Sequence, residues 1–485
     1  MHRIQAALRY GALFLFVAFG AACSTPAVHE TARASETTRP ALPALFDDIE
    51  RRTFNFFWET TNPQNGLVHD RYPTPAFASV AAVGFGLTAY PIGVERGYVT
   101  RQQARQRVLA TLRFFHDAPQ GAAPTGMTGY KGFFYHFVDM KSGARFETVE
   151  LSTIDTALFV AGALFCQSYF DGPHADEAEI RDLADRIYRR IDWQWAQPNA
   201  PSISHGWKPE TGFLALDYRG YNEAMIVYLL ALGSPTFPVK EEAWAEWTKP
   251  YDKTWRKTFG PVHLAFPPLF GHQYTHTWID FRHIQDAYMK ARGMDYFENT
   301  RRAAYAQQAY AIANPLGWKG YGETLWGISA SDGPVDAVLD YRGRRISFHT
   351  YAGRGMGGVE TFDDGTIAPT AAISSLPFAP EIVIPTILDM HRRYGADIYS
   401  TYGFLDSFNP SFDFDVPLGQ GRRIAGFPGG GWVAGDYLGI DQGPIIAMIE
   451  NYRSELVWRT MRKNPYVRRG LERAGFSGGW LSSGQ

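Results

Sequence analysis

About twelve stretches of the chain space their apolar residues with a helical period, and they alternate between two kinds. One kind sets charged residues against an apolar face: 45–59 (LFDDIERRTFNFFWE), 101–117 (RQQARQRVLATLRFFHD), 176–192, 240–249, 298–313 and 380–395. Such segments want one wet side. The other kind is apolar nearly all round and rich in small residues: 78–94 (ASVAAVGFGLTAYPIGV), 152–170, 220–236 (GYNEAMIVYLLALGSPT), 275–289, 369–378 and 443–452. These want burial on most sides, the 275–289 segment being the most polar of them. Short turns (DGPHA, SPTFPV, RGMDYF) lead from an apolar segment to the next charged one, whereas long loops rich in Gly, Asp and aromatics (118–151, 314–368, 396–442) lead back. The pattern predicts an all-α fold, an (α/α)6 barrel or toroid with six inner helices inside six outer ones. Its long loops meet the N-termini of the inner helices and form the catalytic face, because loops of that length in a compact domain are usually functional.

Composition narrows the partner. With 47 Lys+Arg against 49 Asp+Glu the net charge is −2, which offers no basic field to nucleic acid and no charged tail. The expected partner is therefore neutral, and no protein partner is implied. Residues 1–22 read as an export signal: Arg3 and Arg9, then GALFLFVAFGAA, too short to span a membrane. The run G-A-A-C resembles a lipoprotein cleavage box with Gly20 at its first position, which makes Cys23 a candidate lipid anchor and the location periplasmic or outer-membrane-anchored. The same leader also serves simple secretion. Residues 24–42 read as a flexible tether and 43–485 as a single catalytic domain, since no later linker or strict repeat interrupts it. Cys166 is then left alone, so packing and not a disulfide must stabilise the domain.

Within the apolar segments two acids stand out. Glu223 and Asp155 both fall at the loop-face ends of inner helices, where an acid complements the helix dipole. Ser152-Thr-Ile-Asp155 fits a capping box with Asp in place of Glu, so Asp155 reads both as a cap and as an active-site residue. For Glu223 the functional reading is favoured, because Asn222 already supplies a cap. Nucleophile-elbow, zincin, paired-cysteine and Walker signatures are missing from the sequence. GRGMGG (353–358) has the letters of a dinucleotide loop but is followed by VETFDDGT, not a helix, and reads as a flexible loop. His272, His276 and Asp280 have the spacing of one helix face; a helix-end hydrogen-bond network is preferred over a metal site, since no second ligand cluster is evident. What remains is a set of carboxylates in aromatic loops: ETVELSTID (147–155), GYNEA (220–224), WGISASDGP (326–334), DDGTIAP (363–369), YGFLDSFNP (402–410) and GDYLGIDQGP (435–444). Cleavage of a sugar bond needs this inventory, one acid to protonate the leaving oxygen, a carboxylate to activate water or attack, and rings to cover sugar faces. It needs no cofactor. The substrate-binding candidates are Glu150, Asp155, Tyr221, Trp326, Asp332, Asp364, Tyr402 and Asp441, with Tyr130, Phe133 and Trp432 as further sugar platforms.

These motifs, together with GLVHDR, PLFGHQYTHTWIDFR and IDQGPIIAMIEN, resemble the glycoamylase-like domain of bacterial β-1,2-glucanases of glycoside hydrolase family 144 and relatives, and of cyclic β-1,2-glucan synthases. The resemblance runs from about residue 45 to 475. It implies the (α/α)6 fold and inverting endo-hydrolysis of β-1,2-glucan, with the acid of GYNEA, Glu223, as proton donor, the carboxylate of YGFLDSFN, Asp406, as the base for water, and Asp155 in the substrate site. Family 144 reads Asp-x-x-Glu-Thr where this chain reads Ser152-x-x-Asp155-Thr156, a departure that points to a sister family. A transglycosylase, phosphorylase or glycosidase of another linkage on the same barrel stays open, as do a glycan-binding lipoprotein without turnover and a lyase.

Overall fold

In the computed structural model, which describes residues 41–356, 362–424 and 430–482, the two kinds of segment become two kinds of helix. In chain order the α-helices among the described residues are α1 (Ala44–Thr60), α2 (Val80–Glu95), α3 (Arg101–Asp117), α4 (Thr153–Tyr169), α5 (Ala175–Arg189), α6 (Met225–Gly233), α7 (Glu242–Thr248), α8 (Tyr251–Thr254), α9 (Tyr274–Trp278), α10 (Ala287–Ala291), α11 (Tyr296–Ala313), α12 (Pro369–Ile373), α13 (Pro380–Ile398), α14 (Gly439–Ser454), α15 (Leu456–Met461), α16 (Pro465–Arg473) and α17 (Gly479–Ser482). Every residue of α6 is buried, and α2 and α4 are buried along almost their whole length. By contrast α5 buries one stripe, chiefly Ile180, Leu183, Ala184, Ile187 and Tyr188, with Glu177 buried in ion pairs to Arg101 and Arg105 and its other charges exposed or half-buried. The leader, Cys23 and most of the 24–42 segment lie outside the described residues, as do 357–358 of the GRGMGG run. Leu42–Gln485 is one compact unit.

The apolar helices pack on one another in succession. α2 lies against α4 and α14, α4 against α6, α6 against α9, and α14 against α9 and α12. Gln273, just ahead of α9, donates to the Ala371 carbonyl of α12 at 2.7 Å and to Ser375 Oγ at 3.0 Å. The α2–α4 approach is close enough to require glycine: a Cβ placed on Gly162 would stand 2.1 Å from the Gly84 carbonyl oxygen. The charged helices flank this group, α3 and α5 against α2 and α4, α1 against α14, and α13 against α12. No helix among the described residues is long and apolar enough to cross a membrane.

Two features depart from the sequence expectation. The 275–289 segment is not one helix but α9, an irregular stretch and α10. Asp280 Oδ1 accepts the Arg282 N–H at 3.1 Å and the Arg282 guanidinium at 2.8 Å, and His283 takes φ +62°, a conformation that ends a right-handed helix. The second departure is β structure in the loops. A five-stranded antiparallel sheet joins Gly129–Tyr130, Phe133–Tyr135, Leu151–Ser152, Gly206–Lys208 and Gly212–Phe213. Ala330–Asp332 pairs with Tyr351–Gly353 so that Asp332 faces Tyr351, and Arg71–Tyr72 pairs with Tyr437–Leu438. Strands of two or three residues are too short for a period to show. Their effect is to pin the loops over the N-termini of α4, α6 and α14.

Candidate active site

Asn222 Oδ1 accepts the Ala224 N–H at 2.9 Å, which turns the chain into α6 and leaves Glu223 in the turn just before the helix. The Glu223 side chain lines a cavity of about 280 Å3 with His136, Glu150, Asp155, Tyr218, Tyr274 and Tyr351. Its Oε2 is buried and has no hydrogen-bond partner. Burial, with the Asp155 charge added, pushes its carboxyl up to about 7. Asp155, in the first turn of α4, bonds through Oδ2 to the Ser152 hydroxyl, which also accepts the Asp155 N–H at 3.2 Å. It therefore caps its helix and faces the cavity at once.

His136 joins the acids on this side. Its Nδ1 lies 2.8 Å from Glu150 Oε1 and its Nε2 3.6 Å from Asp155 Oδ1. Burial opposes a charge on the imidazole, but Asp155, Glu150 and Asp70 outweigh it and hold its pKa up at about 9. The His136 bond in turn holds Glu150 down at about 2, while burial raises Asp155 despite the imidazolium.

A second group of acids adjoins the first. Asp406 accepts the Asp332 N–H through Oδ2 at 2.7 Å, and its Oδ1 is buried and takes no N–H or hydroxyl. Burial and the Asp332 charge push Asp406 up to about 7; Asp441, in the first turn of α14, is raised further by burial and by Asp406 itself. A proton shared by the two belongs first to Asp441, which leaves Asp406 the more readily ionised. Arg71 supplies the countercharge, 3.0 Å from Asp332 Oδ2 and 3.4 Å from Asp70 Oδ2. The two groups meet at two tyrosines. Tyr351 lines the Glu223 cavity and is 52% exposed, and its phenol is raised by burial and then by Asp441 and Asp406. Tyr274 is raised by burial and then by Asp441, Tyr351, Glu223 and Asp155.

Glu223, Asp155, Glu150, Asp406, Asp332 and Asp441 thus come together, and four other candidates do not. Tyr221 is packed among Tyr296, His272 and Tyr251. Trp326 is 1% exposed in the core. Asp364 is buried in an ion pair with Arg354. Tyr402 packs on Phe56, Tyr72 and Tyr437, gives its hydroxyl to Glu59 at 3.1 Å and lines a separate surface cavity of about 420 Å3. Among the further platforms, Phe133 and Trp432 are buried, and Tyr130 packs edge-on against Trp195 and at a tilt against Trp207 beside the loop sheet. His276 Nε2 meets Thr300 Oγ1 at 3.0 Å, His272 Nε2 accepts the Phe266 N–H at 3.3 Å, and Asp280 pairs with Arg282 and Arg462, so each of the three has its own partner. Sequence reasoning missed His136, Asp70, Arg71, Tyr274 and Tyr351. Asp70 and Arg71 did stand in view, inside the GLVHDR motif; His136 carried no signal beyond being a histidine in a loop.

The Glycoamylase family model, described as "Putative glucoamylase", matches residues 215–465. A crystal structure of a "putative glucoamylase" from Bacteroides uniformis is 30% identical, with a TM-score of 0.73, and the match covers 92% of this chain and 100% of that one. An endo-β-1,2-glucanase from Chitinophaga pinensis, solved as a sophorotriose and glucose complex, is 26% identical over 91% of this chain and 100% of its own, with a TM-score of 0.75. An exo β-1,2-glucooligosaccharide sophorohydrolase acting at the non-reducing end, from Parabacteroides distasonis, is 27% identical over 476 residues, which are 90% of this chain but 59% of that longer protein.

Proposed function

The chain belongs to the glycoamylase family, and from that membership we propose that it is a glycoside hydrolase that cleaves linear β-1,2-glucan internally and with inversion, on a helix succession closed as an (α/α)6 barrel. Glu223 gives its proton to the glycosidic oxygen, the bond to the anomeric carbon breaks, and water attacks that carbon from the opposite face while Asp406 takes the water proton. A single arrangement supports the reading: Tyr351 lines the Glu223 cavity and also faces Asp406 and Asp441, and burial raises all three carboxyl groups. An acid and a base are thereby available at the same pH. Asp155, Glu150 and Tyr351 line the cavity that would hold the sugar. The proposal also includes export by the 1–22 leader and a lipid anchor at Cys23, read out by labelled fatty-acid incorporation that Cys23→Ser abolishes.

The test is digestion of linear β-1,2-glucan beside laminarin, cellulose and starch, with product anomers followed by NMR. The expected result is reducing sugar from the β-1,2-glucan alone, α-anomer first, as a ladder of lengths at early times. No release from that substrate removes the reading. The Parabacteroides distasonis relative favours a second mode, exo cleavage, which would give disaccharide from the outset in place of a ladder.

A further inference from the structure

The N–H that Asp406 accepts is held from behind. It belongs to the Ser331–Asp332 peptide, whose carbonyl oxygen on Ser331 accepts from Arg354 Nη1 at 2.5 Å. The same guanidinium donates to the His349 carbonyl at 2.8 Å and grips both oxygens of Asp364, at 2.8 and 2.9 Å. Arg354 thus ties the strand Ala330–Asp332 to the chain entering Tyr351–Gly353, and the next peptide is pinned as well, since Ser407 Oγ donates to the Asp332 carbonyl at 2.8 Å. The side chains of Arg354 and Asp364 are both 0% exposed, so neither can touch a sugar.

A buried ion pair is a weak contributor to stability, because desolvation offsets most of its attraction. Its placement here has another consequence. A strong donor on a peptide carbonyl polarises the amide and makes its N–H a better donor, and in a buried site that gain is not diluted by water. Asp364 neutralises the guanidinium, so what reaches Asp406 is an aimed and strengthened N–H and not a second cation beside Arg71.

We propose that Arg354 is a positioning residue for the reaction: by holding the Ser331 carbonyl it fixes the Asp332 N–H on Asp406 Oδ2 and leaves Oδ1 as the oxygen that exchanges protons. This rests on the reading of Asp406 as the base. The other groups that face Asp406 are Asp332, Asp441, Asp70, Arg71 and Tyr351, together with Asp436, whose backbone oxygen accepts the Asp406 N–H at 3.0 Å. Of these, Asp441 also lowers Asp406 through a side-chain hydrogen bond, but the Asp332 N–H is the one whose peptide Arg354 holds.

The test compares the full chain with Arg354→Met combined with Asp364→Asn, which removes the pair without stranding a charge and keeps an acceptor for the Thr366 N–H. Two readouts are taken: the pH dependence of kcat/KM on β-1,2-glucan, and the infrared titration of the Asp406 carboxyl, assigned by its loss in Asp406→Asn. Removing a donor to the ionised carboxylate raises its pKa, so both the acidic limb and the titration move up by about one pH unit. kcat falls roughly tenfold while KM changes less than about twofold, a smaller loss than removal of a donor in direct contact with the reacting atoms. Arg354→Lys, which keeps the charge but cannot span three acceptors, lies between. A folded double variant with limb and titration unmoved overturns the proposal, and so does a loss confined to KM. Should the double variant not fold, Arg354→Lys decides by the same two readouts, with no shift again overturning it. If the parent releases no sugar from glucan, the hydrolase reading fails, and the infrared titration still decides the role of Arg354.

Discussion

Glu223 has a buried oxygen with no partner and a carboxylate, Asp155, for a neighbour, so both its surroundings and the nearest charge keep it protonated. Glu223→Gln keeps shape and neutrality but cannot give up a proton; kcat should fall by about 10²–10⁴-fold with the fold intact. Stability changes the other way. The Glu223 pKa is raised in the folded state, so the folded chain binds the extra proton, and the stability it brings is full below about 4.5 and lost as pH rises through about 7. The Gln variant should therefore melt higher than the parent at pH 8 and match it near pH 5, by differential scanning calorimetry at both pH values. A parent that melts higher at pH 8 would mean that Glu223 is stabilised as an anion. At this scale the sequence showed the acids better than their surroundings. Carboxylates crowded into loops on one face could be found by residue type, but whether a given residue faces the cavity depends on partners distant in the chain. Asp364 looks like its neighbours in sequence and differs only because Arg354 folds back onto it; Tyr221 sits two residues from Glu223 and points into the core among Tyr296 and His272.

Among the elements, the α1–α14 contact holds an acid pair that takes no part in the site. Glu50 of α1 is fully buried and raised well above its ordinary value by burial and then by Glu450 of α14, whose carboxylate is held by Arg96 at 2.7 Å. As with Glu223, the folded state holds the extra proton, so Glu50→Gln should raise the melting temperature at pH 8 and lose the advantage toward pH 4.5; no gain at pH 8 would show that Arg453, 3.2 Å away, already satisfies the carboxylate. The α2–α4 contact gives the opposite kind of test. Gly162→Ala places a methyl 2.1 Å from a backbone oxygen, which can be relieved only by moving a helix, and should lower stability by about 1–3 kcal/mol in urea unfolding. The apolar segments and their order were legible in the sequence because a helix buried on all sides writes its burial into every position. The break after α9 was not, since it follows from an Asp280–Arg282 pairing with Arg462 far along the chain. α15 and α16 were not among the segments read from the sequence, both being short.

Across the whole molecule the helix succession matters because it brings two protonation systems side by side while keeping them on different elements. The proposed donor side rests on the turn before α6 and the first turn of α4; the proposed base side rests on the loop after α13, the strand Ala330–Asp332 and the first turn of α14. Alternation of apolar and charged segments let the sequence place both on one face, but the tyrosines that join them, Tyr274 and Tyr351, come from an interrupted helix and a three-residue strand that no period marked. Because the base must be ionised and the acid protonated, and Asp406 and Glu223 both lie at about 7, kcat/KM should pass through a narrow maximum near neutrality. The limbs should then move independently. Asp441→Asn replaces the carboxyl whose hydrogen bond lowers Asp406 with a weaker amide donor, so the acidic limb shifts to higher pH and the alkaline limb stays. Asp155→Asn removes the charge that helps Glu223 keep its proton and frees the His136 imidazolium from one partner, so the alkaline limb shifts to lower pH and the acidic limb stays. Profiles of the two variants on one substrate settle the assignment: if Asp155→Asn moved the acidic limb, or Asp441→Asn the alkaline one, the roles of Glu223 and Asp406 would have to be exchanged.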